Sequence, residues 1–343
     1  MEDEFYIDYA KLDDFQRQLV DKRTDKPMVV TGKAGSGKSV IALHKAKQVS
    51  TLGSYAIVVF TKTLRKYFND GLEKLKLQNV YHYHGWPKQQ VDYLIVDECQ
   101  DFSPEQIEEM NNCGKICFFF GDSEQSIMSF RGPVQKVEET AFKYNIKLYE
   151  LYFNYRLTIE NALLAEKVGN VEEVVEKCKR NGEKPQLINK NSIDAQLDEI
   201  IRIIKNKSLT NVGILMRFNS KSQAKSRTGN EKLSVEYVHE YFSKKGVTNE
   251  FKYNANQATA MDLDFHSSNP KIMTWWCAKG LQFKDVFIPC SEANHEEEKR
   301  AAVYVAMTRT GERLYISYTG QLSSFFPEPT NGLYASTDEI EMI

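Results

Sequence analysis

The chain has 343 residues, enough for two domains at the usual size of about 100–200 residues each. Its 45 basic and 47 acidic residues leave a net charge of −2, which excludes the overall basic character of many nucleic-acid-binding proteins. No run approaches the roughly 18 apolar residues of a membrane helix, and the acidic first ten residues do not read as a signal peptide, so we expect a cytoplasmic protein without a membrane partner.

Apolar, β-rich runs alternate with helical patterns along the chain. The runs cover 27–30, 56–60, 92–97, 115–121, 146–153, 212–216, 270–274, 285–289 and 314–318. Continuous apolar strands separated by helices predict parallel sheets with helices on both faces, and therefore an α/β fold. The alternating strands and helices form two α/β units that meet near residues 145–150. We predict a first domain over 1–147, a second over 148–330 and an acidic tail over 331–343.

Two compositional features lie within this pattern. The six cysteines form no C-x-x-C pair and have no zinc-finger spacing, which predicts free thiols in a reducing compartment. Between Arg202 and Lys232 there are eight basic residues and one acidic residue, Glu231. This basic segment fits either a surface that follows a phosphate backbone or an ordinary solvated face.

The segment GKAGSGKS follows the first apolar strand and precedes a helical pattern. It matches the phosphate-binding motif G-x-x-x-x-G-K-[ST] in the strand–loop–helix context that the motif requires. Glycines let successive backbone N–H groups face inward at a helix amino end, where partial positive charge favours phosphate. Lys38 is predicted to reach the β- and γ-phosphates of ATP, and Ser39 to bind Mg²⁺. The other predicted nucleotide-binding residues of the loop are Gly32, Ala34, Gly35, Ser36 and Gly37.

The third predicted strand ends in two carboxylates, Asp97 and Glu98. Beside a phosphate loop, such a pair has a clear use: Asp97 holds Mg²⁺ through water, while Glu98 orients and deprotonates the attacking water. A cluster of acids at a helix amino end is the alternative interpretation. Attack by water predicts ATP hydrolysis rather than transfer of the phosphoryl group to a metabolite.

With the phosphate-binding motif followed by this acidic pair, the sequence resembles the UvrD/Rep-type superfamily 1 helicases. DECQD (97–101) is similar to the family's DE-x-QD motif, and further motifs follow in the family's order. The resemblance implies two RecA-like P-loop NTPase domains with ATP in the cleft between them. It also implies that Gln16, within LDDFQRQLV, reads adenine and that Gln125, within GDSEQSIMSFRG, senses the γ-phosphate.

The same resemblance assigns nucleic-acid contacts in the first half. Thr61 and Lys62 lie in FTKTL, and His84 lies in VYHYHGW, where loop packing is the alternative role. Phe130 occupies the position of a base-stacking aromatic, with core packing as its alternative, and Arg131 would contact the nucleic-acid backbone. Stacking on bases suits binding that is independent of sequence.

In the second half, NYR implies that Tyr155 stacks on adenine and that Arg156 reaches the γ-phosphate. YVAMTR implies that Arg309 is a second arginine finger, a residue type that stabilises charge on a transferring phosphoryl group. TWWCAKGLQF departs from the family pattern twice. Trp276 replaces a histidine that contacts nucleic acid, and Gln282 replaces a glutamate that binds the ribose. The resemblance also places Gly280 at the nucleotide.

The chain lacks room for the large insertions of unwinding family members. Only 32 residues separate Leu64 from Asp97, and 51 separate Asn219 from Lys271, room for one or two helices. We therefore expect an ATP-driven translocase on single strands, 3′→5′ by resemblance and on DNA rather than RNA, with weak or partner-dependent unwinding. Two alternatives stay open: an ATP-driven regulatory subunit of a nuclease or toxin effector, as in antiviral defence, and a small-molecule P-loop kinase.

Overall fold

Residues 6–72, 75–126, 132–252, 263–293, 296 and 299–335 are described by the computed structural model of the chain. They divide into two compact units, the first ending at Tyr155 and the second beginning at Arg156. The predicted boundary after residue 147 therefore lies eight residues too early. The strand Leu148–Leu151 pairs in parallel with Met28–Gly32, so it belongs to the first sheet rather than to the second unit.

The first unit is built on a six-stranded sheet in which all described pairings are parallel. Its strands are β1 (Met28–Gly32), β2 (Tyr55–Val59), β3 (Val80–His82), β4 (Val91–Val96), β5 (Gly114–Gly121) and β6 (Leu148–Leu151), in the order β3-β2-β4-β5-β1-β6. Its helices are α1 (Asp14–Val20), α2 (Lys38–Val49), α3 (Lys62–Leu72), α4 (Pro104–Cys113) and α5 (Val137–Lys143). The strands supply a core that includes Val29, Val58, Leu94, Val96 and Phe119.

The second unit has its own six-stranded sheet, in which all described pairings are parallel. The strands of that sheet are β9 (Gln186–Lys190), β10 (Val212–Met216), β11 (Glu250–Lys252), β12 (Lys271–Thr274), β13 (Phe283–Ile288) and β14 (Thr310–Thr319), in the order β11-β12-β10-β13-β14-β9. The unit also contains β8 (Cys178–Arg180), which lies outside that sheet. Its helices are α6 (Ile159–Gly169), α7 (Ile193–Asn206), α8 (Lys221–Thr228), α9 (Val235–Lys244) and α10 (Arg300–Met307). A further strand, β7 (Asn154–Thr158), runs through the boundary and pairs with β8.

All nine predicted strands are confirmed, and so is the α/β class with its parallel sheets. The apolar runs are buried where helices pack against the strands: α2, α4 and α5 in the first unit, and α7, α9 and α10 in the second. In the second unit, α7 and α9 contribute Leu197, Ile200, Val238 and Phe242 to the core beside Ile214 of β10. The six cysteines are free thiols, five of them buried. None of the described helices has the length and apolar character needed to cross a membrane.

The 51-residue window before Lys271 contains α8, α9 and β11, together with residues 253–262, which lie outside the described part. Helix α9 is fixed to α7 by polar contacts: the Tyr237 hydroxyl donates to Asp194 at 2.6 Å, and Lys245 pairs with Asp198 at 2.7 Å. Within the described residues, the window thus forms a small layer on the second sheet.

Candidate functional sites in the two units

Most of the sequence-predicted residues of the first unit gather at one edge of its sheet. The phosphate loop follows β1, Thr61 follows β2, His84 follows β3, Asp97 follows β4 and Gln125 follows β5. Because all these strands are parallel, their carboxyl ends meet at a single edge, the usual location of ligand sites in open α/β sheets. Motifs that are separated in the sequence therefore lie close together at this edge of the sheet.

The phosphate loop has the backbone that its glycines predict. Gly35 and Gly37 have φ values of +78° and +91°, which favour glycine, and α2 begins at Lys38 directly after Gly37. The Lys38 ammonium donates to the carbonyl oxygens of Gly32, at 2.6 Å, and Lys33, at 3.1 Å. The lysine is thus folded over the loop whose backbone N–H groups would receive phosphate. Tyr155 adds a contact from its backbone N–H to the Gly35 carbonyl at 2.9 Å.

Gln16 lies directly against this loop. Its Nε2 donates to the Ser36 carbonyl oxygen at 3.2 Å, and a Cβ atom added at Gly37 would come within 2.4 Å of the same Nε2. Glycine is required at position 37 by its backbone angle, and a side chain there would also displace the Gln16 amide from its contact with the loop. The Ser36 hydroxyl oxygen is buried and has no hydrogen-bond partner among the residues that the structure describes. A phosphate oxygen would supply the acceptor that this hydroxyl lacks.

The acidic pair lies beside the start of α2. Ser39 Oγ donates to Asp97 Oδ2 at 2.7 Å, which joins the two predicted Mg²⁺ ligands across 58 residues of sequence. Burial and the adjacent Glu98 carboxylate raise the pKa of Asp97 above its ordinary value. A hydroxyl and a carboxylate are oxygen donors of the kind that Mg²⁺ takes, so these residues fit the metal. Glu98 has a left-handed backbone, φ +56°, which is rare outside glycine and concentrates at functional sites.

A residue without an assigned role connects the acidic pair to the next motif. Gln100 Nε2 donates to Glu98 Oε2 at 2.6 Å, and Gln100 Oε1 accepts from the Asp122 backbone N–H at 3.0 Å. Asp122 in turn accepts from Gln125 Nε2 at 2.5 Å. Gln100, Asp122 and Gln125 are all buried. The sequence signal was present in DECQD and GDSEQ, but only the fold shows that the two motifs share one hydrogen-bond chain.

Three of the predicted nucleic-acid residues of this unit, Thr61, Lys62 and His84, lie in its described part. Lys62 and His84 are exposed, and Thr61 Oγ1 caps α3 by accepting from the Leu64 N–H at 3.0 Å. The loops after β2 and β3 are held together by Phe102, whose ring centre lies 5.1 Å from that of Phe60 and 5.5 Å from that of Tyr83. The His84 ring also lies 5.4 Å from that of His82 and 5.2 Å from that of Tyr83, so loop packing and nucleic-acid contact both remain open for this residue. Phe130 and Arg131 lie outside the described residues.

In the second unit, three predicted residues meet at the amino ends of β13 and β14. Arg156 Nε donates to Gln282 Oε1 and its Nη1 to the Thr308 carbonyl oxygen, both at 3.3 Å. Arg309 is 1% exposed and donates from Nε to the Val305 carbonyl oxygen at 2.9 Å. Its other nitrogens contact the Leu281 carbonyl oxygen and Thr308 Oγ1. Arg309 is therefore part of the interior of its unit, a placement that its position in YVAMTR did not indicate.

Trp276 lies at the opposite edge of the second sheet, after β12. It is partly exposed, whereas its neighbour Trp275 is buried and donates from Nε1 to the Leu215 carbonyl oxygen at 3.1 Å. The Lys299 ammonium lies 6.0 Å from the centre of the Trp276 ring. Gly280, three residues before β13, has φ +80°. The structure thus separates Trp276 from Arg156, Gln282 and Arg309 within this unit.

The basic segment does not form a free positive surface. Five of its eight cations pair with acidic residues: Arg202 with Glu199, Lys207 with Glu183, Arg217 with Glu296, Lys221 with Glu240 and Lys232 with Asp194. Because these pairs neutralise most of its charge, the segment gives little support to binding along a phosphate backbone. The solvated-face interpretation accounts better for these residues.

The first unit's strand, glycine loop and helix, with a carboxylate pair at the same sheet edge, define a P-loop NTPase. A model of the viral superfamily 1 RNA helicase core domain matches residues 28–200, half of the chain, and one of the UvrD-like helicase C-terminal domain matches residues 240–321. The chain belongs to the superfamily 1 helicases, whose members are nucleic-acid-dependent NTPases. No curated protein matches the chain.

Solved structures similar to the chain come from bacterial and viral helicases. The C-terminal domain of a possible DNA helicase from Lactobacillus plantarum WCFS1 is 17% identical, with a TM-score of 0.38, 53% of this chain and 97% of that chain covered. Arterivirus nonstructural protein 10, a helicase in complex with DNA, is 15% identical, with a TM-score of 0.45, 93% of this chain and 64% of that chain covered. The PRRSV helicase is 11% identical, with a TM-score of 0.46, 88% of this chain and 54% of that chain covered.

Proposed function

We propose that the protein is an ATPase stimulated by single-stranded nucleic acid, which moves along the strand in the 3′→5′ direction. The observation that carries the proposal is the Ser39–Asp97 hydrogen bond, because it joins the end of the phosphate loop to the acidic pair at the sheet edge. Thr61, Lys62 and His84 follow strands that end at that same edge. A nucleotide site and a strand-binding surface would therefore share one set of loops.

In the hydrolysis step, Glu98 accepts a proton from the attacking water, and Lys38 offsets the negative charge of the β- and γ-phosphates. When bound through Ser39 and Asp97, Mg²⁺ supplies further positive charge at the phosphates. Gln100 holds the Glu98 carboxylate at 2.6 Å and links it to Asp122 and Gln125. Through this chain, occupation of the γ-phosphate position would be transmitted to the segment that follows β5. Arg156 and Arg309 are the proposed arginine fingers.

We propose that duplex unwinding is weak or depends on a partner. Between α3 and β4 the described residues include a short strand, β3, and a 3₁₀ turn, and the window before β12 holds two α-helices in its described part. Separating base pairs costs about 1.4 kcal/mol per step on average, so an unwinding enzyme needs a wedge and a grip on the duplex. The described elements offer neither as a separate domain. DNA is the proposed substrate, with RNA as the alternative that must be tested beside it.

The test is steady-state ATP hydrolysis with no nucleic acid, with oligo(dT) and with oligo(U), followed by strand displacement on duplexes that carry a 3′ or a 5′ tail. We expect stimulation by oligo(dT) of at least tenfold and little displacement on either duplex. Stimulation by oligo(U) alone would assign RNA as the substrate. ATP hydrolysis that responds to neither strand would contradict the translocase proposal and favour an ATP-driven regulatory subunit.

A further inference from the structure

Helix α2 carries a buried lysine that takes no direct part in the proposed hydrolysis. Lys45 lies two turns after Lys38, and its side chain is 0% exposed. Lysine is almost never fully buried without partners for its ammonium, because removing that charge from water is costly. Here the ammonium donates to the backbone carbonyl oxygens of Val20, at 2.8 Å, and of Lys22. Burial lowers the pKa of Lys45 to about 8.

These contacts hold the carboxyl end of α1. Val20 is the last residue of that helix, and its carbonyl oxygen also accepts from Gln48 Nε2 at 3.0 Å. The last carbonyl groups of a helix have no partner within the helix, so they need donors from elsewhere. Lys45 and Gln48, one turn apart on α2, are those donors.

The same helix also holds the chain before α1. His44 Nε2 lies 2.9 Å from the Ile7 carbonyl oxygen, and Nδ1 lies 3.2 Å from the Tyr6 hydroxyl. A neutral imidazole satisfies both contacts by donating from Nε2 and accepting at Nδ1. Burial lowers the pKa of His44, which favours the neutral form. His44, Lys45 and Gln48, here called the α2 clamp, therefore grip the backbone on both sides of α1.

The segment that carries Gln16 lies between the residues held by His44 and those held by Lys45 and Gln48. Gln16 belongs to the first turn of α1, where it forms a capping box with Asp13, and its Nε2 contacts the Ser36 carbonyl oxygen of the phosphate loop. The amino end of α2 follows that loop directly. One helix thus positions the phosphate loop at its beginning and, through the clamp, the helix that bears Gln16.

We propose that Lys45, with Gln48 and His44, is a positioning residue that sets the placement of Gln16 and thereby the selectivity of the enzyme for the base of the nucleotide. This inference rests on the proposed ATPase function and on Gln16 as the residue that reads the base. Lys45 itself contacts neither phosphate nor base. Its effect is expected in the KM for ATP rather than in kcat, because the residues of the hydrolysis step lie at the other end of α2.

The test compares kcat/KM for ATP with kcat/KM for CTP, in the full chain, for Lys45→Met, Gln48→Met, Gln16→Ala and the double variant Gln16→Ala/Lys45→Met. Lys26→Met is the matched control, since Lys26 is exposed and lies two residues before β1. We expect Lys45→Met to lower the ATP-to-CTP ratio at least fivefold, with kcat at saturating ATP within twofold of wild type. The double variant should lose no more selectivity than Gln16→Ala, and the control should match wild type.

A folded Lys45→Met variant with the wild-type ratio would overturn the proposal and leave the clamp a purely stabilising role. Should Lys45→Met not fold, Gln48→Met decides the question, because it removes one donor to the Val20 carbonyl from a half-buried position. A wild-type enzyme that uses ATP and CTP equally would overturn the roles of Gln16 and the clamp together. Absence of ATP hydrolysis in the wild type would instead overturn the proposed function itself.

Discussion

At the scale of single residues, Glu98 is the group on which hydrolysis most directly depends. We predict that Glu98→Gln lowers kcat for ATP at least 100-fold, since the amide cannot accept the proton of the attacking water; general-base catalysis typically contributes about 10²–10⁴-fold. Lys38→Ala should likewise abolish turnover. The measurement is phosphate release at saturating ATP. Glu105→Gln is the matched control, because Glu105 lies exposed in the first turn of α4. Turnover near the wild-type rate in Glu98→Gln would remove Glu98 from the mechanism.

Arg309 presents a second residue-scale question, because its guanidinium is buried and donates to three groups of its own unit. If it also acts as an arginine finger, Arg309→Ala should lower kcat about 10³-fold while sparing the affinity for a fluorescent ATP analogue. The same change removes charge-assisted hydrogen bonds and should reduce stability, by about 1.5–3 kcal/mol per bond, so circular dichroism must show that the variant is folded. Arg202→Ala controls for loss of a surface arginine. A folded variant with unchanged turnover would leave Arg309 a structural residue.

At the scale of elements, the carboxyl ends of β2 and β3 carry the proposed strand-binding loops. We predict that Lys62→Ala weakens single-strand binding about equally for all sequences and reduces the slope of log K against log [salt] by about one, the signature of one lost phosphate contact. Fluorescence anisotropy over a salt series measures both quantities. Lys115→Ala is the control, because Lys115 lies at the amino end of β5, the opposite edge of the sheet. An unchanged slope for Lys62→Ala would contradict the assigned surface.

The elements also show where prediction from sequence succeeds. Long apolar runs such as 115–121 predict strands because a parallel strand is buried on both faces and needs apolar residues at every position. The edge strands β9 and β11 were not predicted: QLINK and EFK are short and partly polar, and they become strands through pairing with β14 and β12. The sequence predicts β6 as a strand but places it in the second domain, because an apolar run does not indicate which sheet a strand will join.

At the scale of the whole molecule, nucleotide binding should stabilise the folded chain by mass action. We predict that a non-hydrolysable ATP analogue with Mg²⁺, at 100 times its Kd, raises the free energy of unfolding of the nucleotide-binding unit by about 2.7 kcal/mol. Thermal denaturation with and without EDTA measures the metal-dependent part. Ser39→Ala should reduce that part, and Ser50→Ala, at the far end of α2, should not. A shift in melting temperature that EDTA leaves intact would contradict the proposed role of Ser39 and Asp97.

The sequence alone determined the strand–loop–helix that binds phosphate, the acidic pair and the order of motifs that places the chain among superfamily 1 helicases. These features can be predicted because each depends on the types of a few residues that are close together in the sequence. They are glycines for a tight loop, a lysine and a serine at the start of a helix, and carboxylates after a buried strand. Only the tertiary structure decided that Gln100 joins two motifs, that the basic segment is mostly neutralised, and that Arg309 is interior. Each of these findings includes at least one contact between residues far apart in the sequence, such as Gln100 with Asp122, Lys221 with Glu240 and Arg309 with Leu281. Gln100 meets Asp122, for example, because β4 and β5 are neighbouring parallel strands, and no local pattern encodes such a contact.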